Sequence, residues 1–236
     1  MSIRVYNTPL ISWEMYEDVV HLPYQFTRVD VPPTRSNPQL DERGLYWTHQ
    51  LYNYCPIDDP TYFQAAGLAG SENPMYLDVM TYLEATIPNY PKRENLYSSY
   101  INVLRAHDCP GIHCDAPYFV EDNQTVIVYL NHHWDPQWGG ETIFYDDDLD
   151  ARQLVQPRPG RVVIFDGRIP HTGRPPTPKF PHNRYIMTFK YMDRDERRKL
   201  FVDHEINNMP PVEDRGIAGL NVETVKKIWQ SMDTRL

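Results

Sequence analysis

The chain has 236 residues, 41% of them hydrophobic and 23% charged, with a formal net charge of −9 at pH 7; this is the composition of an ordinary globular protein able to bury a sizeable core. An acidic surplus of this size argues against general nucleic-acid binding, which needs a basic stripe to displace counterions. No run approaches the ~20 apolar residues of a membrane span and the first residues carry no basic-then-apolar leader, so a cytoplasmic protein without membrane contact is expected.

Residues 1–95 read as an α+β support. Strands are expected from Phe26 to Val29 and from Leu45 to Tyr52. Asn73 and Pro74 open a helix that runs through Tyr76, Val79 and Leu83 and ends before Pro88. From 96 to 192 the chain becomes strand-rich. His113 and Asp115 sit two apart, so in an extended strand they share a face while Cys114 points away. After the loop from Ala116 to Asn123, the run from Thr125 to Asn131 (TVIVYLN) reads as a strand, with Thr125, Ile127 and Tyr129 on one face and Val126, Val128 and Leu130 on the other. His132 and His133 face opposite ways and cannot bind one ion from a regular strand; they read as a strand end near a site mouth. Trp134 and Trp138 either line that mouth or cover a barrel edge.

Gly139 to Thr142 (GGET) follows, and Asp146, Asp147 and Asp148 read as a solvated hairpin tip, since they lack the spacing and glycine of a calcium loop. Arg161 to Phe165 is an apolar strand after Pro159-Gly160, and His171 stands just beyond it. Arg174, in a proline-rich loop, reads as solvated, as do His107 and His182. The strand from Arg184 to Tyr191 puts Arg184, Ile186, Thr188 and Lys190 on one face and Tyr185, Met187, Phe189 and Tyr191 on the other. The segment 193–236 reads as a helical extension, with a charged stretch from Asp193 to Leu200 and an amphipathic helix from Val222 to Trp229.

Two imidazoles and one carboxylate, leaving the opposite coordination face open, are the ligand set of non-haem Fe(II) oxygenases. His113, Asp115 and His171 supply that set. A guanidinium matches a carboxylate bidentately, so Arg184 at the end of a pocket can fix a dicarboxylate with its other end toward the metal. Cys55, Cys109 and Cys114 cannot all pair, and Cys109 with Cys114 lacks a second pair for zinc.

From about Tyr97 to Met192 the sequence resembles the prolyl 4-hydroxylase-like branch of the Fe(II)/2-oxoglutarate-dependent dioxygenases. HCD (113–115), VYLN (128–131), GGET (139–142), PRPGRVVIF (157–165), His171 and RYIMT (184–188) occur in the family's order. The resemblance implies a mainly β fold with flanking helices, a double-stranded β-helix or cupin-like jelly roll, forming one dioxygenase domain over 1–236. It implies His113, Asp115 and His171 as Fe(II) ligands, Arg184 as partner of the distal carboxylate of 2-oxoglutarate, and Thr188 and Tyr129 as further donors to that carboxylate; from spacing alone Tyr129 reads as a packed core tyrosine. It also implies O2 as oxidant and hydroxylation of a C–H bond in a small molecule, amino acid or peptidyl residue. The retained carboxylate at Asp115 favours such an oxidation over halogenation. Two alternatives differ in kind: a cupin-like binding or sensor protein, which would be marked by loss of a ligand or the arginine, and a metal-dependent hydrolase on the same triad, in which Arg184 has no necessary part. Substrate and oligomeric state are not encoded in any motif.

Overall fold

The strand that opens at Arg184 is the axis of the fold. The structure, a computed structural model, describes residues 2–28, 45–53, 73–108, 110–116 and 120–193. The chain divides into two units, Met1–Arg194 and Asp195–Leu236, and the described residues belong to the first. The expected helices after Asp193, and Cys55, Cys109, Tyr118 and Phe119, lie outside the described residues.

Ten strands occur among the described residues: β1 (Ile3–Asn7), β2 (Gln25–Arg28), β3 (Leu45–Asn53), β4 (Leu96–Leu104), β5 (Asn123–Tyr129), β6 (Thr142–Tyr145), β7 (Ala151–Val155), β8 (Arg161–Phe165), β9 (His171–Gly173) and β10 (Arg184–Met192). Two longer helices accompany them, α1 (Trp13–Val20) and α2 (Pro74–Thr86). A larger antiparallel sheet has the order β1-β8-β5-β10-β4-β3-β2, and a smaller one the order β7-β6-β9. The N-terminal strands are thus continuous with the larger sheet: β1 extends it beside β8, and β2 and β3 extend it beyond β4.

Central position explains the composition of β10. It pairs with β4 on one side and β5 on the other, and all nine of its residues are buried. One face, Tyr185, Met187, Phe189 and Tyr191, joins Val126 and Val128 of the neighbouring strand β5 and Leu130 just after it, and packs on Tyr76, Val79, Met80 and Leu83 of α2 and on Tyr16 and Val19 of α1. On the other face Ile186, with Ile127, Tyr129, Val163 and Phe165, meets Phe144 and Val155 from the smaller sheet. Burial of each such aliphatic or aromatic side chain contributes about 1.5–3 kcal/mol, so alternation along β5, β8 and β10 builds two cores at once. Two sheets stacked on an apolar layer, with helices against the outer face of the larger, form the expected jelly roll.

The helix boundaries follow from local chemistry. The Asn73 side chain accepts from the Tyr76 N–H, Pro74 takes the first turn where no amide partner is needed, and the chain turns extended at Ile87, the residue before Pro88. Helix α1 starts on Ser12, whose hydroxyl accepts from the Met15 N–H. The Pro159-Gly160 turn into β8 requires glycine: its φ is +66°, and a Cβ there would lie 2.4 Å from the Thr8 carbonyl oxygen.

Candidate metal and cosubstrate site

His113 and His171 are brought together by their own backbones. The His113 N–H donates to the His171 carbonyl at 3.0 Å and the His171 N–H to the His113 carbonyl at 2.9 Å, an isolated antiparallel bridge at the start of β9. The expected extended strand through His113 and Asp115 is therefore a single bridge followed by a bend. Convergence comes from the turn: the Asp115 and Ala116 amides both donate to the Gly167 carbonyl, at 2.7 and 3.1 Å, and the Gly167 amide is held by the Asn123 side chain at 2.7 Å. A Cβ at Gly167 would stand 2.6 Å from that Asn123 oxygen and would push aside the side chain that holds the Gly167 amide.

The ligand atoms of His113, Asp115 and His171 all lie within 4.8 Å of one another. His113 Nδ1 is 3.2 Å from the Gly111 carbonyl and His171 Nδ1 is 2.9 Å from the Ile169 carbonyl. A carbonyl only accepts, so each Nδ1 carries the proton and each Nε2 offers a lone pair. Those two Nε2 atoms face the carboxylate, at 3.8 Å from Asp115 Oδ1 and 3.4 Å from Asp115 Oδ2 respectively. Phe144 and Phe165 pack on the His171 ring. Burial pushes that imidazole down to about 4, in spite of the opposing pull of Asp115, so it is a neutral ligand across the physiological range.

Two donors clasp the carboxylate. Thr125 Oγ1 donates to Asp115 Oδ2 at 2.8 Å and Lys190 Nζ reaches Asp115 Oδ1 at 2.7 Å. Burial alone would raise the Asp115 carboxyl, but the Lys190 ammonium and the two imidazoles outweigh it and hold the group below the usual carboxylate range. Burial would likewise favour loss of the Lys190 proton, yet Asp115, with Tyr100 and Tyr97, carries that ammonium well above the ordinary lysine value.

Arg184 lines the same cavity, whose wall also includes Tyr100, Asn102, His113, Asp115, Thr142, His171 and Thr188. It is fully buried. Its Nε donates to the Gly140 carbonyl at 2.7 Å and its Nη2 to Thr142 Oγ1 at 3.0 Å, while Nη1 is buried without a hydrogen-bond partner. An unpaired guanidinium nitrogen in a dry pocket costs several kcal/mol unless an anion meets it. Gly140, at φ +78°, permits this: a Cβ there would sit 2.5 Å from the Trp134 ring and 3.2 Å from Arg184 Cδ. Asn131 braces the base of the arginine, accepting from the Tyr185 N–H at 2.9 Å and donating to the Asn183 carbonyl at 2.9 Å.

Of the sequence-predicted residues, the triad, Arg184 and Thr188 meet around one cavity. Tyr129 stands behind that wall: its hydroxyl bonds Thr142 Oγ1 at 2.7 Å and the Val155 carbonyl at 3.2 Å, and its ring lies under the guanidinium at 5.2 Å. His132 turns from the expected mouth to pack on Trp13 and Tyr16, on the α1 side of the larger sheet. Trp134 and Trp138 pack on each other and on Phe180. Asp146 caps the β6–β7 hairpin, accepting from the Asp148 and Asp150 amides, and Arg168 pairs with Asp166. Sequence reading missed Thr125, Thr142 and Lys190 as site groups. Alternation had placed Thr125 and Lys190 on the inward faces, but their partner, Asp115, comes from a loop whose path no periodicity reports.

The sequence model of the 2OG-Fe(II) oxygenase superfamily matches residues 101–192, from within β4 to the end of β10. Over this segment the chain is similar to that superfamily. That similarity implies Fe(II), 2-oxoglutarate and O2 at the site, and the donor set fits: two imidazole lone pairs and a carboxylate for the metal, and an orphaned guanidinium nitrogen for the dicarboxylate. The chain shares its fold with a prolyl hydroxylase from Trichoplax adhaerens, solved with a peptide fragment of the hypoxia inducible factor oxygen degradation domain (TM-score 0.52, 16% identity, 84% of this chain and 86% of that one). Further matches are a prolyl-4-hydroxylase from Pseudomonas putida (TM-score 0.45, 14% identity, 81% and 92% covered) and a 2OG-Fe(II) oxygenase family oxidoreductase from Burkholderia pseudomallei (TM-score 0.48, 12% identity, 80% and 85% covered). No curated protein sequence matches the chain. No helix among the described residues is long and apolar enough to cross a membrane.

Proposed function

We propose that this oxygenase hydroxylates a C–H bond, using His113, Asp115 and His171 to hold Fe(II) and Arg184 to hold the distal carboxylate of 2-oxoglutarate. The observation that carries the reading is the orphaned Arg184 Nη1 in the cavity where the three ligand atoms converge. When bound, iron supplies the redox chemistry that couples decarboxylation of 2-oxoglutarate by O2, giving succinate and CO2, to insertion of one oxygen atom into the substrate C–H bond.

The protein's own residues bind, orient and exclude water. The two Nδ1–carbonyl hydrogen bonds keep both Nε2 lone pairs aimed at the metal position. Arg184 is fixed through Nε and Nη2 by Gly140 and Thr142, so Nη1 and the remaining Nη2 hydrogen form a pre-set fork for the carboxylate. Thr188, four residues along β10 from Arg184 and on the same face, adds a hydroxyl to that carboxylate site, and Tyr129 acts on it through Thr142. Phe144, Phe165 and Ile186 keep this end of the barrel dry.

The substrate is a small molecule, an amino acid or a peptidyl residue, the last in keeping with the peptide bound by the Trichoplax relative. A cytoplasmic location belongs to the same reading, since three cysteines are a poor basis for a disulfide framework. A hydrolase on the same triad leaves Arg184 without a task, and a non-catalytic barrel leaves the complete ligand set without one. Anaerobic titration with Fe(II) and 2-oxoglutarate tests the proposal. Wild type should develop the weak visible charge-transfer band of the chelate and His171→Ala should not; bound iron without a band in wild type would sink it.

A further inference from the structure

Lys190 is a cation in a place where the proposed metal site has no need of one. Its ammonium lies 2.7 Å from Asp115 Oδ1, with only 10% of the lysine side chain and 4% of the aspartate side chain exposed. The other oxygen, Oδ2, is taken by Thr125 Oγ1. These two donors are register partners: Lys190 on β10 faces Thr125 on β5 across the larger sheet. The pair therefore forms a rigid clasp on the carboxylate, built into the ladder rather than dependent on a mobile loop. From the same position the Lys190 Nζ also lies 5.6 Å from the centroid of the Tyr100 ring, whose face attracts a cation.

Charge counting shows what the clasp does. The ligand set contributes one carboxylate, whose negative charge draws a divalent ion out of water. The Lys190 ammonium beside it offsets that charge. A metal ion taking Asp115 must then displace the ammonium from Oδ1 or accept a like charge a few ångströms away in a low-dielectric pocket. Resting on the metal-site reading above, we propose that Lys190 is an internal counter-ion of Asp115 that competes with the metal: it keeps the metal-free site folded and neutral, and it weakens metal binding. Lys190 is in this sense a positioning residue, acting on the metal through Asp115.

The test is Mn(II) binding to the full chain, followed by the electron paramagnetic resonance signal of free Mn(II), alongside thermal unfolding without metal. Lys190→Met should bind Mn(II) at least about tenfold more tightly than wild type and should melt at a lower temperature when metal-free, because Asp115 loses its partner. Lys190→Gln keeps a donor but no charge and should shift in the same direction, which also covers a Met variant that does not fold. Lys190→Arg keeps the charge and should bind like wild type. Unchanged or weaker binding by the Met and Gln variants overturns the proposal. His171→Ala separates the two ideas. Tight binding that survives this change in both the wild-type and Lys190→Met backgrounds would show that the metal sits elsewhere, and would remove the metal-site reading and this inference together.

Discussion

Replacing Arg184 by Lys keeps the positive charge at the end of the cavity but removes the planar fork. In the structure the guanidinium uses Nε and Nη2 to hold Gly140 and Thr142 and presents Nη1 free. A single ammonium on a shorter stem cannot bond the Gly140 carbonyl and still meet both oxygens of a carboxylate. At least one charge-assisted hydrogen bond to 2-oxoglutarate is lost, roughly 1.5–3 kcal/mol, which is a loss of about ten- to a hundredfold in affinity. Isothermal titration of 2-oxoglutarate into the Mn(II)-loaded protein under nitrogen reads this directly. Mn(II) affinity, measured in the same preparation, should stay within about threefold of wild type, since the triad is untouched; this margin is of the order expected for distant sites. A folded Arg184→Lys protein that binds Mn(II) and takes 2-oxoglutarate as tightly as wild type would refute the assignment of the arginine.

Thr125→Val conserves shape and removes one of the two donors to Asp115. The buried carboxylate then lacks a charged hydrogen bond, and metal-free stability should fall by about 1.5–3 kcal/mol; urea unfolding with an unchanged midpoint would contradict the clasp. The pH dependence of stability follows from His171. Its folded-state value of about 4 lies below the ordinary one near 6.5, so the unfolded chain binds the extra proton first and metal-free stability should fall as pH drops from about 6.5 toward 4. His171→Gln should flatten that slope by roughly 3 kcal/mol across the window, and an identical slope in both proteins would mean that His171 is not held neutral by burial.

Much of this molecule is written in local patterns. Period-two alternation assigned both faces of β5 and β10 correctly because those strands lie side by side between two apolar layers, and each face is paired with a distinct core. The N-cap at Asn73 and the stop before Pro88 are set by backbone chemistry within a few residues. Strand β1 and helix α1 were not foreseen. β1 is short and half-exposed at a sheet edge, and α1, though amphipathic, is only eight residues long, too short for its pattern to stand out.

For the site, the sequence alone determined which residue types stand in which order: a His-x-Asp pair, a later histidine, and an arginine with a threonine on its own face. Those choices follow from the chemistry of the ligands and from side-chain direction along one strand. Only the tertiary structure decided how they meet. The His113–His171 bridge, the Asp115 bend pinned by Gly167, the Thr142 hydroxyl beneath Arg184 and the Lys190–Asp115 contact all join segments far apart in the chain. Each depends on strand register and loop path, which are set by the packing of the whole sheet, and no local periodicity records them.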